Sequence, residues 1–121
     1  MSDALKTIRE AKIKVKEFCE QRNWDQFHNP KDLAIGIATE SSELLQIFRF
    51  KTPEESETLV SDAKYRQEIS DELADIFYFV LRFAQMNDID LYDSLIQKIE
   101  KNDKKYPVKL SKDCNKKYSE F

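Results

Sequence analysis

The sequence has little of what builds turns. One glycine and three prolines in 121 residues are too few for the many short connections of a β-sandwich or barrel. Only two cysteines occur, Cys19 and Cys114, far apart and without C-x-x-C spacing. That excludes a disulfide framework and favours a reducing compartment. A long apolar run is also missing: the longest, IFYFVL at 76–81, stops at Arg82, and the leading MSDALKTIREAKIKVKEF is charged throughout. Neither a membrane span nor a secretory leader is expected, so the protein is read as soluble and cytoplasmic, with no membrane partner. Excess charge of one sign is absent too. Twenty basic against 23 acidic residues leave a net charge of −3 and a pI near 5.3, which offers no overall attraction to nucleic acid.

What remains is a charged, helix-rich chain of a length suited to one compact domain. Its few breakers fall between segments of helical period. Leu5, Ile8, Val15, Phe18 and Cys19 mark a first helix at about 3–22. Asn29-Pro30-Lys31-Asp32 combines a cap, a proline at the first helical position and a carboxylate near the positive end, opening a second helix at about 30–50. Thr52-Pro53-Glu54-Glu55 is a fuller capping box and opens a short helix to about 60. A long helix follows at about 62–87. Asp90 caps the last one, about 91–105, which Tyr106-Pro107 ends because the residue before proline is pushed out of helical geometry. The expected architecture is therefore all-α, a compact bundle of four main helices plus one short one. Residues 1–107 form the domain and 108–121 an irregular tail.

Ile69, Leu73, Ile76, Phe77, Val80, Leu81 and Ala84 form one apolar stripe of the long helix. Tyr78, Phe79 and Phe83 extend apolar surface beyond it. So short a chain offers few helices to surround such an element, and a homo-oligomer burying a second face is expected, a tetramer in preference to a dimer.

Two acidic pairs of spacing three interrupt this pattern. Glu40 shares a sector with Leu33, Ile37, Leu44 and Ile47, with Glu43 on its flank, while Glu72 and Asp75 sit at the edge of the long helix's stripe. If the two helices pack antiparallel, all four carboxylates converge. Like charges drawn out of water together raise each other's pKa or demand a cation. Carboxylate oxygens without cysteine or paired histidine select a hard ion, Mg²⁺ or Mn²⁺, over zinc. A ferritin-like di-iron site would require Glu-x-x-His on two helices, and His28, the only histidine, falls in a loop. Gly36, one turn before Glu40, weakens its helix by about 1 kcal/mol relative to alanine, and so marks either a ligand's close approach or tight helix packing.

The E-x-x-E at 40–43, a spacer of 28 residues and the E-x-x-D at 72–75 resemble the mark of the MazG-like all-α nucleotide pyrophosphohydrolases. The likeness to their dCTP pyrophosphatase subgroup runs from about Leu5 to Phe121: NWDQFHNP resembles that group's loop, FRFKT follows the first acidic helix, and KIEKNDKKYP resembles the block that closes its active site. This resemblance implies an enzyme acting on acid anhydrides, cleaving a nucleoside triphosphate between the α and β phosphorus to monophosphate and pyrophosphate. Glu40, Glu43, Glu72 and Asp75 would be its catalytic and metal-holding residues, with Mg²⁺, or Mn²⁺, as cofactor and Glu43 preferred as acceptor of the water's proton. By the same similarity Trp24 would stack on the base, Lys98 and Tyr106 would serve phosphate oxygens, and Asn102 the nucleoside.

The chain departs from that subgroup where the nucleoside would lie. Val15 stands in place of a histidine, Phe50 in place of a second stacking tryptophan, and Phe79 in place of a tyrosine. Loss of polar groups removes the hydrogen bonds best able to discriminate bases, while Phe50 and Phe79 keep the apolar surface. The reaction is expected to be retained and specificity loosened, with dCTP or related deoxynucleotides favoured and a purine such as dATP accepted, in the service of cleaning the nucleotide pool. Two other readings stand beside this one: a dUTP- or phosphoribosyl-ATP-directed relative, and a non-catalytic helical scaffold with a structural metal site. The eight lysines between Lys98 and Lys117 are interspersed with acids, so no nucleic-acid partner is expected.

Overall fold

Capping side chains begin each long helix. The computed structural model describes residues 1–121 and contains helices without strands. After a 3-10 turn at Ser2–Ala4, Thr7 accepts the Glu10 amide at 3.1 Å and opens α1, Ile8–Gln21. The helix starts later than its apolar spacing suggested because Thr7 is extended and its hydroxyl takes the amide that would continue the helix backwards. A second 3-10 turn, Trp24–Phe27, is entered through Asn23 at a left-handed φ of 54°, which asparagine tolerates. Asn29 caps α2, Pro30–Phe48, by accepting the Asp32 amide at 2.9 Å, with Pro30 at its start. That helix stops short of residue 50, and Phe50 takes a left-handed φ of 65°.

The expected capping box opens α3, Pro53–Ser61: Thr52 accepts the Glu55 amide at 3.1 Å and the Glu55 carboxylate accepts the Thr52 amide at 3.3 Å. Asp62 ends α3 and caps α4, Ala63–Met86, accepting the Lys64 amide at 3.1 Å. Asp90 accepts the Asp93 amide at 2.8 Å to begin α5, Leu91–Lys105, which ends at Tyr106 before Pro107. Beyond it the chain is less irregular than its sequence suggested, with a short α6, Val108–Ser111, and a 3-10 turn at Tyr118–Glu120.

The chain divides into two compact units, Met1–Asp88 and Ile89–Phe121. In the first, α2 packs along α4, and α1 and α3 pack on the same helix. The α2–α4 pair is antiparallel: Gly36 faces Phe79, whereas further along α2 Glu40 and Glu43 meet Glu72 and Asp75, further back on α4. The fully buried set is small, comprising Cys19, Leu33, Leu81, Ala84 and the charged Arg82. On α2 the inward face is the expected one, Leu33 buried and Ile37, Glu40, Leu44 and Ile47 half-buried.

On α4 the stripe is divided. Leu81 and Ala84 are buried, but Leu73 and Phe77 are 52% and 50% exposed. Tyr78 and Phe79, expected outside the stripe, turn inward instead, because each finds a partner on a neighbouring helix. The Tyr78 hydroxyl meets Cys19 Sγ at 3.1 Å, and the Phe79 ring lies over Gly36. In the second unit the Tyr106 ring meets Tyr118 and Phe121 edge-on at 5.9 and 6.0 Å, tying the chain's last residues to the end of α5.

Candidate active site and metal centre

Antiparallel packing of α2 on α4 brings the two acidic pairs together. Glu40, Glu43, Glu72 and Asp75 each offer a carboxylate oxygen, and the four oxygens lie within 4.8 Å of one another. Glu40 and Glu72 are half-buried, Glu43 and Asp75 exposed. Glu40 Oε2 and Glu72 Oε2 are shielded from solvent and have no hydrogen-bond partner. A shielded carboxylate oxygen left unsatisfied is costly, and here two of them face one cluster.

Burial pushes the Glu40 carboxyl up to about 7, and the hydrogen bond its protonated form donates to Glu43, together with the charges of Glu43 and Asp75, adds to the rise. Glu72 is raised by the same causes, burial first and then Glu43. The ion pairs Lys6–Glu10, Lys16–Glu20 and Arg82–Asp25 all lie elsewhere. An oxygen-only donor set with two partnerless oxygens and mutual repulsion fits a hard divalent cation.

One turn from the acids, on the same helix pair, lies an aromatic cluster. A Cβ added to Gly36 would stand 2.6–2.8 Å from three carbons of the Phe79 ring, so the missing side chain is what seats that ring on α2. The glycine thus serves tight packing. From Phe79 the contacts run edge-to-face through Tyr78 (5.0 Å), Phe18 (6.0 Å) and Trp24 (5.6 Å). Trp24 is 37% exposed. The result is a chain of aromatic rings that begins one turn from the carboxylate cluster at Phe79 and ends at the partly exposed Trp24, whose ring offers a stacking face.

A family model described as MazG-like matches residues 35–121, a span that contains both acidic pairs. The chain belongs to the MazG-like family. Among its relatives are dCTP pyrophosphatase 1 of Mus musculus, 31% identical over 105 residues, and that of Homo sapiens, 30% identical over 105 residues. In each case the match takes in 87% of this chain but 62% of the relative's length. The crystal structure of a pyrophosphatase from Archaeoglobus fulgidus DSM 4304 superposes with a TM-score of 0.77 at 32% identity, covering 83% of this chain and 92% of that one.

Phe50 of this MazG-like chain does not join the cluster. Phe50 is 88% exposed, and its ring faces the Arg49 guanidinium at 4.6 Å. Gly36 and Phe48, the last residue of α2, are twelve positions apart, roughly 18 Å along the axis. Phe50 therefore lies beyond the acids, on the side away from Phe79. Lys98, Asn102 and Tyr106 belong to the second unit, at spacings of four; Lys98 is exposed, and Asn102 and Tyr106 are half-buried. Val15 is half-buried on α1.

The spacing of acids and apolar residues missed a second polar centre. Arg82, 1% exposed, pairs with Asp25, donates from Nε to His28 Nδ1 at 3.0 Å and from Nη1 to Gln85 Oε1 at 2.7 Å. His28 is held as a neutral acceptor, its pKa lowered by burial and by the guanidinium. Burial and the Cys19 contact likewise push the Tyr78 hydroxyl upward. The available signal was Arg82 itself, a lone cation inside IFYFVLRFA, which marks a buried and partnered charge as readily as the end of an apolar run.

Proposed function

We propose that the chain is a Mg²⁺-dependent nucleoside triphosphate pyrophosphohydrolase that cleaves a deoxynucleotide such as dCTP to monophosphate and pyrophosphate. The supporting observation is the set of four carboxylate oxygens within 4.8 Å of one another, in which Glu40 and Glu72 each also carry a shielded, partnerless Oε2. The names of its relatives, dCTP pyrophosphatase 1 and pyrophosphatase, point the same way. Glu40, Glu43, Glu72 and Asp75 would hold Mg²⁺ or Mn²⁺, which when bound supplies the positive charge that a triphosphate and its leaving pyrophosphate require.

The chain's own residues would do the rest. Glu43, exposed beside the half-buried Glu40, would accept the attacking water's proton as the bridge between Pα and Pβ breaks. The water oxygen ends on one product and the bridging oxygen on the other. Trp24 and Phe79 would form the face on which the base stacks, worth roughly 1–3 kcal/mol per base. Phe50, on the side of the acids away from Phe79, would add apolar surface there and not to the stacking face, while Lys98 and Tyr106 would bind phosphate oxygens and Asn102 the nucleoside. Since stacking distinguishes bases weakly, a purine such as dATP is accepted, which suits a role in cleaning the nucleotide pool.

Ile35, Leu45, Leu73 and Phe77 stand half or more exposed on α2 and α4. Apolar surface on that scale supports a homo-oligomer, for which a tetramer is the proposed form. No helix is long and apolar enough to cross a membrane, and a cytoplasmic location is proposed with it. Incubation with a deoxynucleotide panel and Mg²⁺, followed by product identification, tests the activity. Pyrophosphate with monophosphate is the expected outcome. Release of orthophosphate alone would reject it, and no turnover of any nucleotide would reject it in favour of a helical module with a structural metal site.

A further inference from the structure

Arg82 is the one charged side chain of the fully buried set, and the acidic cluster makes no use of it. A guanidinium withdrawn from water is tolerated where its planar fork is engaged by acceptors. All three edges are engaged here, by Asp25, by His28 Nδ1 at 3.0 Å and by Gln85 Oε1 at 2.7 Å. Gln85, one turn on in the same helix, fixes the fork's orientation. The other two partners come from a different part of the chain: Asp25 lies within the turn Trp24–Phe27, and His28 caps its end.

Trp24 opens the turn, directly before Asp25. Its ring meets His28 at 6.3 Å and Phe18 at 5.6 Å, both edge-on. The turn is a single 3-10 element of four residues, entered through left-handed Asn23, with little stability of its own. The indole is therefore ordered by its contact with Phe18 together with whatever holds Asp25 and His28.

We propose that Arg82 is a positioning residue for nucleotide recognition, tying the Trp24 turn to α4 at Asp25 and at its His28 end so that the indole is held ready beside the helix that carries Phe79, Glu72 and Asp75. This rests on Trp24 stacking on the base, as proposed above. An indole already in place accepts a base without an ordering cost, whereas a loosened turn must be ordered at each binding event. Bond cleavage is carried by the acids and does not depend on the turn. Release of the anchor thus weakens binding and leaves the chemical step alone. A lysine at position 82 keeps the charge but, as a point donor, cannot span the three acceptors.

Trp24 is the only tryptophan, so its emission and acrylamide quenching in the full chain report on this turn without any nucleotide. Two variants test the anchor from opposite ends: Arg82→Lys, and Asp25→Ala, whose side chain is 53% exposed and can be removed without opening the core. In both, quenching is expected to rise at least about twofold and KM about tenfold, the scale of one base–aromatic contact, with kcat within about twofold. Unchanged quenching and KM in a folded variant overturn the proposal. So does a loss of kcat with no change in quenching, which would make Arg82 merely structural. If Arg82→Lys does not fold, Asp25→Ala decides. Failure of the underlying reading is seen separately: Trp24→Leu with an unchanged KM denies the indole its role whatever the Arg82 variant does.

Discussion

Gly36→Ala sets two effects of opposite sign against each other. Alanine favours a helix interior over glycine by about 1 kcal/mol, so propensity alone predicts a more stable protein. Against this, the new Cβ would lie 2.6–2.8 Å from three ring carbons of Phe79, about 1 Å inside ordinary carbon–carbon contact. The ring cannot simply swing away, since Tyr78 packs against it at 5.0 Å. Overpacking of this kind costs about 1–3 kcal/mol. The net expectation is destabilisation by about 1 kcal/mol, which for a chain of this size lowers Tm by roughly 3–6 °C. Phe79→Ala supplies the control, because without the ring the same alanine at 36 should raise Tm through propensity. Thermal melts of the two single variants and the double variant measure this coupling. If Gly36→Ala is the more stable protein with Phe79 in place, the ring does not depend on the glycine and the wedge reasoning is wrong.

Among the acids, Glu43→Gln, Glu72→Gln and Asp75→Asn are each expected to lower kcat/KM by about 10²–10³-fold, and to weaken Mg²⁺ binding measured by calorimetry; full activity in any of them would take that residue out of the centre. In the metal-free protein the Glu40 carboxyl, ordinarily near 4.5, is raised to about 7, so the folded state binds the extra proton and its stability falls as pH rises from about 4.5 to about 7. Melts in chelator should show that decline, Glu40→Gln should flatten it, and Mg²⁺ should restore Tm most strongly above pH 7. A Tm insensitive both to Mg²⁺ and to the Glu40 substitution contradicts this. Phe50→Gly removes a left-handed φ of 65° from a ring that is 88% exposed, and is expected to raise Tm slightly, by about 0.5–1 kcal/mol of stability, while raising KM. A Tm several degrees lower would mean that the ring is buried in the assembled protein.

Helix starts and the acidic centre were legible because both depend on neighbours in sequence. Asn29, Thr52, Asp62 and Asp90 cap residues two or three positions on, and each acidic pair falls on one helical face by spacing alone. The limits of periodicity appear on α4. Leu73 and Phe77 belong to the same stripe as Leu81 and Ala84 yet stand half exposed, because a stripe is buried only as far as its neighbours reach. Inward Tyr78 and Phe79 were missed for the complementary reason: their partners, Cys19 and Gly36, come from other helices. The Arg82 centre lay furthest from view, since Asp25 and His28 are 57 and 54 residues away in sequence and nothing in a local pattern couples them.

The contacts between α2 and α4 also explain why one glycine is enough for this chain and where it has to be. Four acidic groups within 4.8 Å repel one another across the helix pair, so in the absence of a cation charge alone would spread the two helices apart at that level. One turn away, the absent Cβ of Gly36 lets the Phe79 ring settle on the α2 backbone, a contact that loses its attraction steeply with any widening. The close contact holds the helices at the spacing at which the acids converge. It needs no titratable group, so it persists at any pH and before any cation binds. A centre pre-assembled in this way would lower the reorganisation required on binding the proposed cation and triphosphate. Steric and electrostatic requirements of α2 therefore converge on the single turn from Gly36 to Glu40.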